Sequence, residues 1–264
     1  MPDEQQKIEV MFNLEGKVIL VTGGSRGIGA AIVRDVVGAG ADVVIQYNAN
    51  EEKAEALADE VGRDKCLLVR ADFERDDEVL DLWKQAVAWK GRVHVLINSA
   101  GVQVWAGVED DFETWNAGWH KDLQINLFAT AHLCREAIRH YLAESGGIIV
   151  TISSHVAHQG VRAPYTMHYA ASKAGEKALM QSIARCYSSK NILAYTIAPG
   201  LVRTERALKF AERMGGEDKV VADLPMGEMI PPEDVAAVAA FLASGKARHT
   251  AGATIDITGG NYIR

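Results

Sequence analysis

The sequence predicts an α/β fold: a doubly wound, parallel seven-stranded sheet with helices on both faces. Three features predict it: seven short runs rich in Val and Ile, longer stretches of helical periodicity between them, and a glycine-rich turn after the first run. The runs cover residues 17–22, 42–47, 66–71, 93–98, 148–153, 193–198 and 254–257. They are nearly continuous in apolar residues, as strands covered on both faces require. The first run feeds the glycine turn and a helix at 30–37; the second is followed by a charge-rich helix at 51–61, whose run 51–60 reads as a solvated face. The third leads into a helix at 76–89 and the fourth, after an irregular stretch, into one at 123–141. The fifth precedes a helix at 171–188, and the sixth is followed by helical pieces broken by turns across 204–232. Strands alternating with helices imply right-handed crossovers, which make the sheet parallel. Ligands bind such a sheet beyond the carboxyl ends of its strands, where strand order reverses, so chemistry is expected just after each run.

No Pro-, Ser- or Gly-rich linker divides the 264 residues and no repeat recurs, so the expectation is a single domain spanning 1–264, with an N-terminal extension at 1–13. The 48% hydrophobic and 24% charged content excludes intrinsic disorder. A formal charge of −7 offers no overall basic field for nucleic acid or an anionic membrane. Cys66, Cys134 and Cys186 are scattered and odd in number, which argues for reduced thiols rather than a disulfide framework. The stretch Met1–Gln6 has neither the basic nor the apolar region of a secretory signal, and no apolar run nears the roughly 18 residues of a membrane span. A cytoplasmic enzyme or binding protein is what this leaves.

The first strand runs into Thr22-Gly23-Gly24-Ser25-Arg26-Gly27-Ile28-Gly29, and a helix opens there. Glycines let backbone N–H groups approach a pyrophosphate, and the helix N-terminus adds unpaired donors and partial positive charge. A glycine-rich turn alone is weak; strand, loop and helix together are the context a dinucleotide site requires. No Gly-Lys-Ser/Thr ending is present, which disfavours a nucleoside-triphosphatase loop. NAD sites place an acid about 20 residues on, against the ribose 2′-hydroxyl. Here the second strand ends Ile45-Gln46-Tyr47-Asn48, with no carboxylate before Glu51, while Arg26 offers a planar fork for a 2′-phosphate. NADP is therefore preferred, with NAD the alternative.

The glycine turn, Asn98-Ser99-Ala100-Gly101 after the fourth strand, Tyr169-x-x-x-Lys173, and Pro199-Gly200 after the sixth strand occur in that order. Together they resemble the short-chain dehydrogenase/reductase family in its single-domain branch, over residues 14–260. One small departure is Ser99, where the family commonly has a second Asn. The resemblance implies a Rossmann-type fold and hydride transfer between a nicotinamide and a carbonyl or secondary alcohol. Such chemistry needs a positioned proton donor and acceptor. A phenol with a reference pKa near 10 serves at neutral pH when a neighbouring cation stabilises its phenolate, and Lys173 lies one helical turn beyond Tyr169. By resemblance, Tyr169 is the general acid/base, Lys173 lowers its pKa and Asn126 holds a water of the proton relay. Ser154 hydrogen-bonds the substrate oxygen, with Ser153 as the alternative.

The same resemblance assigns cofactor contacts to Gly23, Ser25, Arg26, Gly27, Ile28 and Gly29, to Tyr47 and Asn48, and to Asp72 and Phe73 beside the adenine. Asp72 reads equally as a helix cap. Asn98, Ala100 and Gly101 would line the ribose and sheet edge; Tyr169, Lys173, Pro199, Gly200, Val202 and Thr204 would face the nicotinamide. The stretch 204–232 would form a substrate lid within the domain. Homotetramers are common in the family, through the helices of Asn126 and Tyr169 and the last strand.

Around the expected substrate mouth stand Ser154, Tyr169, His155 and Trp105, with His158, Arg162 and His168 nearby. His155-x-x-His158 lacks the neighbours that would complete a metal site, so no metal is expected. Trp115 and Trp119, four residues apart, fit a helix packing face or subunit contact. Two other functions share these motifs: a non-catalytic dinucleotide-binding regulator, and a dehydratase or epimerase of the same fold. Retention of both Tyr169 and Lys173 argues against the first.

Overall fold

The computed structural model describes residues 12–246 and 248–263. Of the expected N-terminal extension, 1–11, including the stretch read as lacking a signal, lies outside the described residues. The apolar runs form β1 (Val18–Val21), β2 (Asp42–Tyr47), β3 (Cys66–Arg70), β4 (Val95–Asn98), β5 (Gly147–Ile152), β6 (Ile192–Pro199) and β7 (Thr254–Ile257). They make one sheet of order β3-β2-β1-β4-β5-β6-β7, parallel at every pairing. Ile19 lies in register between Val43 and Val95, so strand order reverses between β1 and β4. A crevice opens at that point, beyond the carboxyl ends.

The helices are α1 (Gly27–Gly38), α2 (Glu51–Val61), α3 (Asp76–Lys90), α4 (Phe112–Asp122), α5 (Ala129–Ala143), α6 (Val156–Gln159), α7 (Met167–Tyr187), α8 (Glu205–Arg213), α9 (Glu217–Val221) and α10 (Pro232–Ala243). Alternation along each strand divides the core. Ile19, Val21, Val43, Ile45, Ile97 and Val150 pack with Ile32, Val36, Leu57 and Val235 from α1, α2 and α10. Leu20, Val44, Leu96 and Ile149 point the other way, against Leu82, Leu133 and Met180 from α3, α5 and α7. Both faces are thus sealed, and only the strand ends remain for function.

Two parts differ from the sequence expectation. The helix read over 123–141 begins earlier, as α4, passes through one π-helical turn at Leu123–Phe128 and continues as α5. The extra residue in that turn re-aims side chains, a device common at functional sites. Second, α10 was not expected. Its Ala- and Val-rich sequence shows little periodicity because it packs along α1 and over the sheet, and its Pro232 suits the first helical position. The stretch after β6 holds the helical pieces expected there, α8 and α9, and its ends are pinned together by a bridge between Val202 and Ile230.

The turn after β1 leaves no room for a side chain at Gly29. A Cβ there would lie 2.2 Å from the Gly23 carbonyl oxygen. Gly29→Ala should therefore lower stability by about 1–3 kcal/mol through overpacking, read from the denaturant midpoint. An unchanged midpoint would mean that the turn can open freely.

Candidate active site

The glycine turn is braced from two sides. Gln46 accepts the Gly23 N–H at 2.7 Å and donates to the Ala71 carbonyl at 2.8 Å, tying the turn to the ends of β2 and β3. Thr22 accepts the N–H groups of Ser99 and Ala100, each at 3.0 Å, tying β1 to the loop after β4. Neither role was apparent from the sequence, because both partners are distant along the chain. Gly23 and Gly27 take φ of 62° and 53°, which a side chain would resist. At the start of α1, Arg26 supplies no capping oxygen and the first turn has no acid, so its N–H groups are free to meet an anion.

A cleft of about 460 Å³ lies over this turn. Gly23, Ser25, Arg26, Gly27, Ile28 and Gly29 form its floor. Tyr47 and Asn48 wall it at the end of β2, Asp72 and Phe73 after β3, and Ala100 and Gly101 after β4, and Thr204 completes the lining. Asp72 accepts the Glu74 N–H at 3.0 Å, an Asx turn ahead of α3 rather than its cap, since Arg75 holds that position. Burial and Glu51 both push the Tyr47 phenol above its ordinary range. Asn98 is not in the lining. Its amide donates to Thr151 at 3.2 Å, between β4 and β5, because the last strand residue still points into the core.

The cleft continues into a second cavity of about 220 Å³, lined by Ser153, Ser154, Tyr169, Lys173, Pro199, Gly200 and Val202. Ile28, Gly101, Thr204 and Arg206 line both spaces. Lys173 Nζ lies 5.9 Å from the centre of the Tyr169 ring, as does the Arg206 guanidinium carbon from α8. The two serines differ in their bonds. Ser153 donates to the Lys173 carbonyl at 2.8 Å, whereas Ser154 Oγ accepts the Val156 N–H at 3.4 Å and keeps its own proton available.

Behind the phenol, fixed polar groups hold the loop after β4. Asn126, fully buried in the π turn, accepts the Val102 N–H at 2.8 Å and donates to the Val102 carbonyl at 3.0 Å and to Ser172 at 2.9 Å. One turn earlier, Asp122 accepts the Val104 N–H at 3.0 Å, and its other oxygen lies 2.6 Å from His168 Nδ1. Burial pushes the Asp122 carboxyl up and the His168 bond draws it back. This pair anchors the loop to α7 immediately before Tyr169.

Two residues expected at the substrate mouth lie elsewhere. His155 Nδ1 turns to the Pro199 carbonyl at 3.1 Å and is outside both linings, because it begins α6 and faces the end of β6. Trp105 is also outside them. It stacks on Tyr165 at 4.4 Å, under the Arg213 guanidinium at 4.7 Å. Trp115 and Trp119 meet on α4, and Trp119 packs edge-on to His168. His158 lies 3.1 Å from Asp256 and stacks on Tyr262. Among the described residues, no three His, Cys, Asp or Glu side chains gather as a metal site would need.

A family model described as enoyl-(acyl carrier protein) reductase matches residues 23–261. The 3beta-hydroxysteroid dehydrogenase 1 of Eggerthella lenta is 35% identical over 254 residues, covering 94% of each chain. The 3-oxoacyl-[acyl-carrier-protein] reductase FabG of Staphylococcus epidermidis is 29% identical, over 94% of this chain and 99% of its own. In three dimensions, the chain superposes on a 3-oxoacyl (acyl-carrier-protein) reductase from Agrobacterium tumefaciens, solved with NADP bound. That comparison has a TM-score of 0.86 at 31% identity, covering 98% of this chain and all 100% of the other. With sequence, fold and glycine cleft in agreement across nearly the whole length, the chain belongs to the short-chain dehydrogenase/reductase family and is an oxidoreductase.

Proposed function

We propose that the protein interconverts a carbonyl and a secondary alcohol on a small molecule, with NADP as the preferred cofactor and NAD as the weaker one. The observation that carries this reading is the convergence of Tyr169, Lys173 and Ser154 on one cavity that opens into the glycine cleft. When bound, the nicotinamide supplies or accepts the hydride. In reduction, the Tyr169 hydroxyl donates its proton to the substrate oxygen, while Ser154 donates a hydrogen bond to the same atom. In oxidation, the phenolate takes that proton back. Lys173 sets the charge beside the phenol, and Asn126 holds the loop that shapes the cavity floor. A cofactor fits the cradle: the glycine turn cannot accept a Cβ at Gly29, and the α1 N-terminus lacks a capping oxygen.

For the 2′-phosphate, the reading rests on Arg26 and on the absence of an acid at the end of β2, where Tyr47 and Asn48 stand. The relative from Agrobacterium tumefaciens, which carries NADP, supports the same choice. We read residues 204–232 as a lid within one domain, since α8 brings Thr204 and Arg206 to both spaces. The family reading extends to a cytoplasmic homotetramer, for which α5 and its π turn offer the exposed Leu142 and Phe128. No helix among the described residues is long and apolar enough to cross a membrane.

Tyr169→Phe should lower turnover by about a hundred- to ten-thousand-fold while NADPH affinity, measured by fluorescence titration, stays near wild type. Substantial remaining activity across a panel of carbonyls would remove the phenol from its role. Arg26→Ala should weaken NADPH by about tenfold, the scale of one charge-assisted bond at an exposed site, and leave NADH nearly unaffected. Equal losses for the two nucleotides would exclude a 2′-phosphate contact.

A further inference from the structure

One cation at the site has no chemical task in the reading above. Of the residues that line the second cavity, only Lys173 and Arg206 are charged, and none is an acid. Lys173 is held by Glu176 and the Ile152 carbonyl and stands beside the phenol. Arg206, in the first turn of α8, lines both the cavity and the glycine cleft, with its guanidinium carbon 5.9 Å from the centre of the Tyr169 ring.

The charges around Arg206 are matched, and this one is not. Arg203 forms a two-pronged pair with Glu217, at 3.0 and 3.2 Å. Arg213 lies over the Trp105 ring. Glu205, next in the chain, pairs with Lys53 and stands 4.0 Å from Arg26. Among the described residues, the Arg206 guanidinium has neither an ion pair nor a hydrogen bond, so its donors are open to a ligand. A cation in the first turn also runs against the helix dipole, so its place does not serve α8 itself. Thr204 caps the helix by accepting the Ala207 N–H at 3.3 Å, and the buried Ala207 and Ala211 seat it. Phe210, one turn on from Arg206, lines the cavity with Leu201 and Val202.

We propose that the substrate carries its own carboxylate, as a short aliphatic oxo acid or the matching hydroxy acid, and that Arg206 binds that carboxylate while the Tyr169 hydroxyl meets the ketone oxygen. The inference rests on the carbonyl–alcohol reading above and adds the substrate class to it. A guanidinium and a carboxylate match through two parallel N–H···O bonds, which fix orientation as well as position. Leu201, Val202 and Phe210 supply an apolar wall for the short chain between the two groups. The cavity, about 220 Å³, lies below the range of about 300–1,000 Å³ typical of drug-sized ligands, which suits a short molecule. Gln103 lines the same two spaces, and its backbone is fixed on either side, where Asn126 bonds Val102 and Asp122 bonds Val104. Its amide offers a further donor there. The other anion within reach is the diphosphate of the nucleotide. That group has donors of its own in the glycine turn and at the start of α1, whereas the Tyr169 ring that Arg206 approaches lines the second cavity alone. The carboxylate is therefore placed on the substrate.

Calorimetric titration of the NADP-saturated protein tests this without turnover, using acetoacetate, levulinate and the methyl ester of each. The two acids set the carboxylate at different distances from the ketone. At least one acid should bind about tenfold or more tightly than its ester, the scale of a charge-assisted bond. Arg206→Gln should bring that ratio close to one, and Arg206→Lys, which keeps the charge and loses the fork, should retain part of it. Arg206 is exposed, so both variants should fold, and circular dichroism checks that they do. Acids that bind no better than their esters would overturn the proposal, as would a preference that survives Arg206→Gln. A loss of NADP affinity equal to the loss for the acid would also overturn it, by assigning Arg206 to the diphosphate. Turnover separates this inference from the reading beneath it. If neutral ketones are reduced in a Tyr169-dependent way with no preference for acids, only the carboxylate site fails. If an acid is held through Arg206 while neither acids nor neutral ketones are reduced, the carboxylate site stands and the reaction proposed beside it falls.

Discussion

An amine can carry its charge inside a protein only where acceptors already wait for it, and the arrangement of this site follows from that constraint. Lys173 is 4% exposed. Its acceptors come from the end of β5 and from the next turn of α7, so strand and helix must be held in one relative position for the charge to be tolerated. The loop after β4 is fitted to the same place. A Cβ at residue 101 would stand 3.4 Å from both Lys173 Nζ and Asn126 Oδ1, an ordinary contact distance, which shows how closely the loop passes the ammonium. Asn126 then fixes the loop by bonding Val102 through both backbone groups, and reaches α7 through Ser172. Charge burial, loop shape and helix position are one coupled arrangement.

The parallel sheet makes this coupling possible because it leaves irregular backbone only at its carboxyl edge. Loop backbone at a buried edge needs partners as surely as strand backbone does. Thr22 and Gln46 provide them without using the edge itself, each bonding sideways to the loop of a neighbouring strand. The glycine N–H groups and the start of α1 are thereby left open in a framework that cannot collapse onto them. The nucleotide half and the phenol half meet at Gly101, Ile28 and Thr204, which belong to both spaces.

What could be read in advance followed from how local each signal was. Strands sealed on both faces write themselves as unbroken Val and Ile runs, and all seven lie within a few residues of their expected places. Tyr169 and Lys173 were singled out by the resemblance, as one of four motifs in order, and both line the second cavity. The π turn was not, since Leu123–Phe128 has an ordinary helical composition and the extra residue is imposed by packing. Nor was α10, where Ala and Val on several sides leave no contrast between faces. Asn98 was assigned to the cofactor by the family resemblance, but as the last residue of β4 it turns its amide inward to Thr151. His155 and Trp105 were placed by proximity in sequence, and their partners, the Pro199 carbonyl and Tyr165, decide their directions instead. Glu176 reads as one more charge on a helix, yet it is buried and both its oxygens accept from Lys173.

The stretch carrying α8 is built on a different energy scale from the rest. Its own apolar contacts are small, centred on Ala207, Ala211 and Met229, and they form a cluster separate from the two that seal the sheet. Its ties to the nucleotide half are exposed ion pairs, Glu205 with Lys53 and, at 4.0 Å, with Arg26. Exposed pairs contribute about 0–1 kcal/mol each. By contrast, the Val202–Ile230 bridge closes the base of the stretch next to β6. An element with a fixed base, a small core and weak outer ties opens locally at little cost while the sheet stays intact. Glu205 also stands 4.0 Å from Arg26, the residue proposed to meet the 2′-phosphate, so an anion arriving there would share that guanidinium with it. The proposed lid and the proposed cofactor preference therefore share one contact, and whatever holds Arg26 also alters how firmly α8 is held.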